Sequence, residues 1–249
     1  MFTSSGFYPP CGLFNMSHII ASFICVALAL ICVYLAKDSG IQEFKPYRIF
    51  AVVVLGLMLI VDVVWSIIQK QMIIENILPY GLTLCFALSL CLVEAKNLNI
   101  SKLAKVFVGY IGVAFGLLIL IAPVPSFTNY PLFHFKSMFA ILTGSIMFFF
   151  GIMQFVKKEV EMNAKTLGLA VFLMLDLIVD CLVLNVVFNA NYLYLFNPAN
   201  INIGWINDIY LFNYNLYTIF MVALYISPIL VIYSVYKLAE LLVKSYNKN

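Results

Sequence analysis

Seven long apolar stretches are the feature of this sequence that most restricts its fold. Each holds about twenty predominantly apolar residues, the length that a helix needs to cross the hydrocarbon core of a bilayer. They lie near residues 17–36, 47–68, 78–93, 103–122, 134–156, 167–190 and 215–235. Because these runs lack the alternation of barrel strands, their backbone groups can be satisfied in lipid only by helices. The sequence therefore predicts an all-α, polytopic membrane helix bundle that forms a single domain over residues 1–249.

The composition favours a membrane protein over a soluble or nucleic-acid-binding one. Of the 249 residues, 64% are hydrophobic and 10% are charged, which departs strongly from the composition of soluble domains. The formal charge of +3 is small, and no basic tract predicts a nucleic-acid partner. The partners expected are membrane lipids and either another membrane protein or further copies of the chain in a homo-oligomer.

The basic residues alternate from one loop to the next, and cytoplasmic loops are those that retain Lys and Arg. This pattern predicts a multi-pass protein of the cell membrane with its N-terminus outside and its C-terminus in the cytoplasm. Most basic residues fall in the first, third and fifth loops and the C-terminal tail: Lys37, Lys45, Arg48, Lys96, Lys102, Lys105, Lys157, Lys158, Lys165, Lys237, Lys244 and Lys248.

The third stretch is short and contains helix-breaking residues. It is bracketed by Glu75 and Glu94, and Pro79 and Gly81 lie near its beginning. Proline removes a backbone donor, and glycine weakens a helix. We expect a tilted, re-entrant or broken start to this span.

Four charged side chains fall inside the stretches, where each costs at least about 2.5 kcal/mol on insertion scales. Counted along the helices, several polar residues then lie in the outer half of the membrane, and this predicts a polar cavity that opens outward. The alternative is that Lys136 snorkels to the interface and that the aspartates pair with hydroxyl groups or are protonated. The charged residues are Asp62, Lys136, Asp176 and Asp180, and the other residues placed near the cavity are His18, Cys85, His134, Thr143 and Asn185.

Cys85 is the cysteine with the strongest indication of a chemical role, because it follows the predicted irregularity at Pro79 and Gly81. A thiol nucleophile needs a base within hydrogen-bond reach, and His134 or His18 could supply one if the fold brings it close. No CxxC pair, metal-ligand spacing, phosphate loop or dinucleotide fingerprint occurs. We therefore expect no metal and no cofactor.

The chain resembles the YwaF-like family of bacterial integral membrane proteins over nearly its whole length. The resemblance rests on four segments, of which the Asn-Tyr-Leu-Tyr-Leu segment is the most specific. The segments are Phe14-Asn15-Met16-Ser17-His18, Leu82-Thr83-Leu84-Cys85, Ile141-Leu142-Thr143-Gly144, and Asn185 followed by Asn191-Tyr192-Leu193-Tyr194-Leu195.

The YwaF-like family is similar to the eukaryotic transmembrane protein 164, a lipid acyltransferase thought to use an intramembrane cysteine and histidine. The resemblance implies that Cys85 is the acyl-accepting thiol and that His18 matches the first-span histidine. Thr83 stands where the family usually has His or Glu, Gly81 replaces a proline, and Thr143 replaces the fifth-span histidine. The predicted catalytic residues are thus Cys85, His134 and His18, and the predicted substrate-binding residues are Asp62, Thr83, Lys136, Thr143, Asp180 and Asn185.

Three functions remain open from the sequence. The first is a YwaF-like protein that binds or transfers lipid acyl groups from an outward-facing intramembrane cavity, either as an acyltransferase or hydrolase or as a binding-only descendant. The second is a small transporter or permease component whose path is lined by the intramembrane charges. The third is a non-catalytic membrane assembly subunit whose polar residues make interhelical contacts.

Overall fold

The computed structural model of the chain describes residues 2, 8–70, 73–124, 126–198, 201 and 203–246. These residues form eleven α-helices and no strand. A π-helix, Phe107–Ile111, joins α5 to α6, and a 3₁₀ turn, Tyr192–Tyr194, follows α9. The α-helices are α1 (Met16–Ala36), α2 (Ile41–Ile68), α3 (Ile74–Ile77), α4 (Leu82–Leu92), α5 (Leu98–Val106), α6 (Gly112–Ile121), α7 (Ser126–Asn129), α8 (Phe135–Val156), α9 (Ala164–Phe188), α10 (Gly204–Phe212) and α11 (Tyr214–Tyr246).

Within the described residues, seven helical segments are long and apolar enough to cross a membrane, and the predicted all-α bundle of seven spans is confirmed. The last segment runs well past residue 235, since α11 ends at Tyr246. Large apolar side chains cover the outside of the bundle, as a bilayer requires. The segments are Met16–Ala36, Glu43–Ile68, Ile74–Leu92, Leu98–Asn129, Phe135–Val156, Ala164–Phe188 and Tyr214–Ser245.

The third span has the broken start that the sequence predicts. The single turn of α3 ends at Ile77, residues 78–81 are not helical, and α4 begins at Leu82. The Tyr192 hydroxyl donates to the Leu78 carbonyl oxygen at 2.7 Å. This bond satisfies a backbone group that the break releases, which non-helical chain at membrane depth needs.

The centre of the bundle is the close pairing of α6 with α8, which depends on glycine. A Cβ atom on Gly112 would lie 2.7 Å from the Met147 carbonyl oxygen, and one on Gly116 would lie 2.7 Å from the Phe148 Cα atom. Gly151 faces the backbone of Gly112 in the same way. Small residues let membrane helices approach until their backbones touch, which maximises van der Waals contact between helices.

The two predicted histidines lie at one end of the bundle, which we call the histidine end. The His18 ring at the start of α1 packs edge-on against Phe127 in α7, with ring centroids 5.0 Å apart. His134 precedes α8 and stacks on Tyr130 with ring centroids 4.2 Å apart. The loop between α6 and α8 therefore lies beside the beginning of α1.

The first, third and fifth loops meet at the other end, which we call the lysine-rich end. Arg48 of α2 is 3% exposed. It forms ion pairs with Glu94 at 2.6 Å and with Glu159 at 3.4 Å, and Lys105 of α5 reaches Glu159 at 3.1 Å. Lys157 donates to the Lys37 carbonyl oxygen at 2.8 Å. These contacts place three lysine-bearing loops on one face of the protein.

Helices α1 and α2 lie at the periphery and hardly touch each other among the described residues. α1 packs on α8 and α6, whereas α2 packs mainly on α4 and only partly on α8. The space between α1 and α2 is therefore open on the outside of the bundle and closed beneath by α8.

Candidate functional site

Asp62 and Lys136 form an ion pair between α2 and α8 near the histidine end. Both side chains are 17% exposed, so the pair is mostly buried but still reachable from outside. The Lys136 ammonium group also lies over the Trp65 ring, 5.1 Å from its centroid. Pairing offsets much of the cost of placing either charge in the membrane, and the cation–π contact adds to it. Two of the six predicted substrate-binding residues are thus in direct contact.

His134 belongs to the same cluster and caps α8. Its Nδ1 atom accepts from the Lys136 backbone N–H at 3.1 Å, which satisfies one free donor at the helix start. The ring is 1% exposed and lies between Tyr130 and the edge of Trp65, whose centroid is 5.7 Å away. The histidine, the tryptophan and the ion pair therefore form a polar and aromatic cluster at one end of α8.

His18 lies apart from that cluster and uses its ring nitrogens on the backbone. Its Nδ1 atom accepts from the Phe14 N–H at 2.9 Å, and Nε2 faces the Leu120 carbonyl oxygen at 3.4 Å. A ring that accepts at Nδ1 and faces a carbonyl at Nε2 is a neutral imidazole with its proton on Nε2. This arrangement fastens the chain before α1 to α6.

Cys85 is half-buried on α4, where its neighbours are Tyr80, Asp180 and Cys181. The Tyr80 hydroxyl donates to Asp180 Oδ2 at 2.8 Å. Among the described residues, neither histidine contacts Cys85, and its neighbours supply no positive charge. Thiolates form beside cations, and the neighbouring Asp180 carboxylate carries the opposite charge, so no described cation or histidine activates Cys85 as a nucleophile.

The remaining predicted site residues are distributed over three helices. Thr83 is half-buried in the first turn of α4. Thr143 is 3% exposed on α8, and its hydroxyl has no hydrogen-bond partner within the described part of the chain. The Asn185 amide donates to the Tyr192 carbonyl oxygen at 3.1 Å and accepts from the Tyr192 N–H at 2.6 Å. Asn185 thereby holds the turn that follows α9.

An apolar groove of about 740 Å³ runs between α1 and α2 over α8. That volume falls within the range of ligand sites. Along α2 it extends from Phe44 to Met58, about 21 Å at about 1.5 Å per residue, or two-thirds of a hydrocarbon core of about 30 Å. Its lining residues are Cys25, Leu28, Ala29, Cys32, Leu35, Ala36, Ser39, Phe44, Tyr47, Met58, Met138, Ile141, Leu142, Ser145, Ile146 and Phe149.

The groove opens sideways, toward the bilayer. Leu28, Leu35 and Tyr47 line it and are 54%, 74% and 61% exposed. The polar groups of its floor are already satisfied, since the Ser145 hydroxyl donates to the Ile141 carbonyl oxygen at 2.8 Å and also contacts the Cys25 thiol. The surface that the groove offers is therefore apolar along most of its length.

This polar and aromatic cluster lies where the groove ends toward the histidine end of the bundle. Met58, Asp62 and Trp65 follow one another at helical spacing and share one face of α2, and Met58 lines the groove. Lys136 on α8 reaches this end of the groove through its ion pair with Asp62. An apolar slot that ends beside a charged pair is chemically complementary to an amphiphile such as a lipid.

None of the site residues predicted from the sequence lines the described groove. Its lining residues are apolar like the rest of their helices, so hydropathy does not single them out. One weak signal exists, because the small residues Ala29, Ala36 and Ser145 lie where bulkier side chains would fill the slot. The Arg48 network was also missed, although Arg48 is the only arginine in the sequence.

Comparison with protein-family models, with curated proteins and with solved structures finds no match to this chain. The assignment of a function therefore rests on the geometry of the bundle. The bundle is that of a multi-pass membrane protein, and it has a lateral apolar groove with an adjacent intramembrane ion pair.

Proposed function

We propose that this chain binds a membrane lipid, with an acyl chain in the groove between α1 and α2 and the polar head group beside Asp62 and Lys136. The observation that carries the proposal is the groove itself, an apolar slot of about 740 Å³ on the lipid-facing side of the bundle. A hydrocarbon chain gains van der Waals contact in such a slot and loses no hydrogen bonds.

The ion pair supports a polar head group at the histidine end. A side-chain exposure of 17% for Asp62 and Lys136 leaves room for a ligand group to contact either charge. A phosphate would contact the Lys136 ammonium group, and an amine would contact the Asp62 carboxylate. If the charge pattern sets the orientation, this end faces outside, and the lipid enters from the outer leaflet of the cell membrane.

This function corresponds to the binding-only form of the YwaF-like hypothesis. Acyl transfer would require Cys85 to lose its proton to a base, and the base expected from the resemblance is replaced by Thr143. Cys85 lies beside Tyr80 and Asp180, whereas the groove is built from other helices. We therefore propose that lipid binding does not depend on Cys85.

A single transport path lined by all four intramembrane charges receives less support. Asp62 and Lys136 pair between α2 and α8, whereas Asp180 lies on α9 and bonds to Tyr80. The Asp62–Lys136 pair and Asp180 thus have different partners on different helices, so the charges do not follow one route through the described bundle.

The test is native mass spectrometry of gently purified protein, with extraction of the lipid that copurifies. Ser145→Phe places a large side chain on the groove floor, and we expect it to reduce the bound lipid about tenfold or more. Ser234→Phe is the matched control, because the Ser234 hydroxyl also donates four residues back, to Leu230 at 2.8 Å, and faces outward on α11. That control should keep the lipid.

Three further results bear on the proposal. Cys85→Ser should bind as much lipid as the wild type, because the binding is non-covalent and Cys85 does not line the groove. Wild-type lipid content in Ser145→Phe would overturn the groove as the site. An acyl adduct that survives denaturation and disappears in Cys85→Ser would replace lipid binding with thiol chemistry.

A further inference from the structure

Two carboxylates are exposed on the outer face of α9 in the middle of the membrane. Asp176 lies halfway along Ala164–Phe188, about 18 Å from either end at about 1.5 Å per residue. Asp180 lies one turn further along the same face. Both side chains are exposed at the surface of the bundle, where lipid would surround them.

The chain supplies little to stabilise these charges. Asp180 accepts one hydrogen bond, from the Tyr80 hydroxyl at 2.8 Å, although an ionised carboxylate can accept about four. Asp176 has no hydrogen-bond or ion-pair partner within the described residues. Lys136 is already paired with Asp62, and no described basic side chain lies within ion-pair distance of either α9 carboxylate.

The rest of this face is suited to helix packing. Phe172, Val179, Val183 and Val187 are exposed around the two carboxylates, at 61%, 55%, 55% and 65%, and Gly168 has no heavy atom near the position of a Cβ atom. An apolar stripe with two central acceptors is complementary to an apolar helix that carries a central donor.

A second copy of the chain does not provide that donor. A symmetric contact would bring the same patch of both copies together, so the Asp176 and Asp180 carboxylates of one copy would face those of the other. Four like charges would then share one apolar interface, which raises rather than lowers the cost of burying them.

We propose that the Asp176–Asp180 face of α9 docks against a transmembrane helix of another protein that carries a lysine or arginine near its centre. The face uses none of the groove helices α1, α2 and α8, so this interaction is independent of lipid binding. A cation on the partner helix would satisfy both carboxylates at once and make the contact specific in register.

The experiment measures energy transfer in phosphatidylcholine vesicles between the labelled full-length protein and two synthetic transmembrane peptides. One peptide is a leucine-rich helix with a single central lysine, and the other has leucine at that position. We expect the wild type to bind the lysine peptide about tenfold more tightly. The double variant Asp176→Leu/Asp180→Leu should lose this preference. Val231→Leu/Val235→Leu, a pair that is exposed on α11 at 58% and 61% and lies outside the docking face, should keep it.

Three outcomes would overturn the proposal. They are equal binding of both peptides by the wild type, an unchanged preference in the double aspartate variant, and self-association of the wild type that the double aspartate variant abolishes. If the double variant does not fold, Asp176→Asn provides the same comparison, because it removes one charge without changing shape. It should weaken the lysine preference and leave binding of the leucine peptide unchanged.

Discussion

Single charged residues in this protein differ in their surroundings, and that difference decides their roles. Asp62 meets Lys136 across two helices, whereas Asp176 faces outward without a described partner. A paired charge contributes to the fold of the chain that contains it, whereas an unpaired charge in the membrane needs a partner group from another molecule. The same residue type therefore supports the proposed lipid site on one helix and the proposed docking face on another.

Removal of one member of the Asp62–Lys136 pair should destabilise the protein more than removal of both. Asp62→Leu or Lys136→Leu alone leaves a mostly buried charge uncompensated, at a cost of about 3–5 kcal/mol. The double variant leaves no charge and should fall close to the wild type in thermal unfolding, followed by tryptophan fluorescence in detergent. A double variant as unstable as either single variant would mean that the two charges act separately.

The sequence identifies these residues one at a time but not their contacts. Asp62, Lys136 and both histidines stand out because polarity in an apolar stretch is costly. Whether Cys85 meets a histidine depends on which helices are neighbours and on how each is rotated. Hydropathy carries no information on either, so the pairing of Cys85 with Tyr80 and Asp180 became visible only in the fold.

Helices show the same division between what the sequence predicts and what it leaves open. Seven spans and the break near Pro79 follow from the length of the apolar runs and from helix-breaking residues. The pairing of α6 with α8 does not follow, because α6 is apolar on every side and its hydropathy favours no partner helix. The sequence feature that indicates this pairing is the spacing of four glycines, Gly112, Gly116, Gly144 and Gly151. This spacing can be assigned to the α6–α8 contact only after the partner helix is known.

Substitution of a glycine in the α6–α8 interface should separate these helices. In Gly116→Ala the added methyl group would lie 2.7 Å from the Phe148 Cα atom, and backbone cannot move aside as a flexible side chain can. We expect a loss of about 1–3 kcal/mol or more, seen as a lower midpoint of thermal unfolding.

Gly56→Ala provides the control for this glycine prediction. No heavy atom lies within 4 Å of the Cβ position at Gly56, and alanine favours a helix by up to about 1 kcal/mol relative to glycine. This variant should be as stable as the wild type or more so. An equal loss in both variants would show that the helix interior, not the contact with α8, sets the requirement for glycine.

The whole molecule has two chemically different ends: one ion pair, Asp62–Lys136, lies near the histidine end, and a network of ion pairs between loops lies at the lysine-rich end. At the lysine-rich end, Arg48, Glu94 and Glu159 join three loops. Side chains from odd-numbered loops can meet in this way only if successive spans run in opposite directions. The fold therefore agrees with the alternation of basic residues, while the side of the membrane that each end faces follows from the charge rule alone.

That rule predicts the sidedness of the molecule, and labelling of introduced cysteines with a membrane-impermeant maleimide in intact cells tests it. Asp208 on α10 and Lys96 before α5 are both exposed and lie in the sixth and third loops. Asp208→Cys should label in intact cells above the wild-type level, and Lys96→Cys should label only after permeabilisation, because lysine-bearing loops stay in the cytoplasm. The reverse pattern would place the histidine end in the cytoplasm, together with the Asp62–Lys136 ion pair. The head group of a bound lipid would then lie on the cytoplasmic side, and the lipid would come from the inner leaflet.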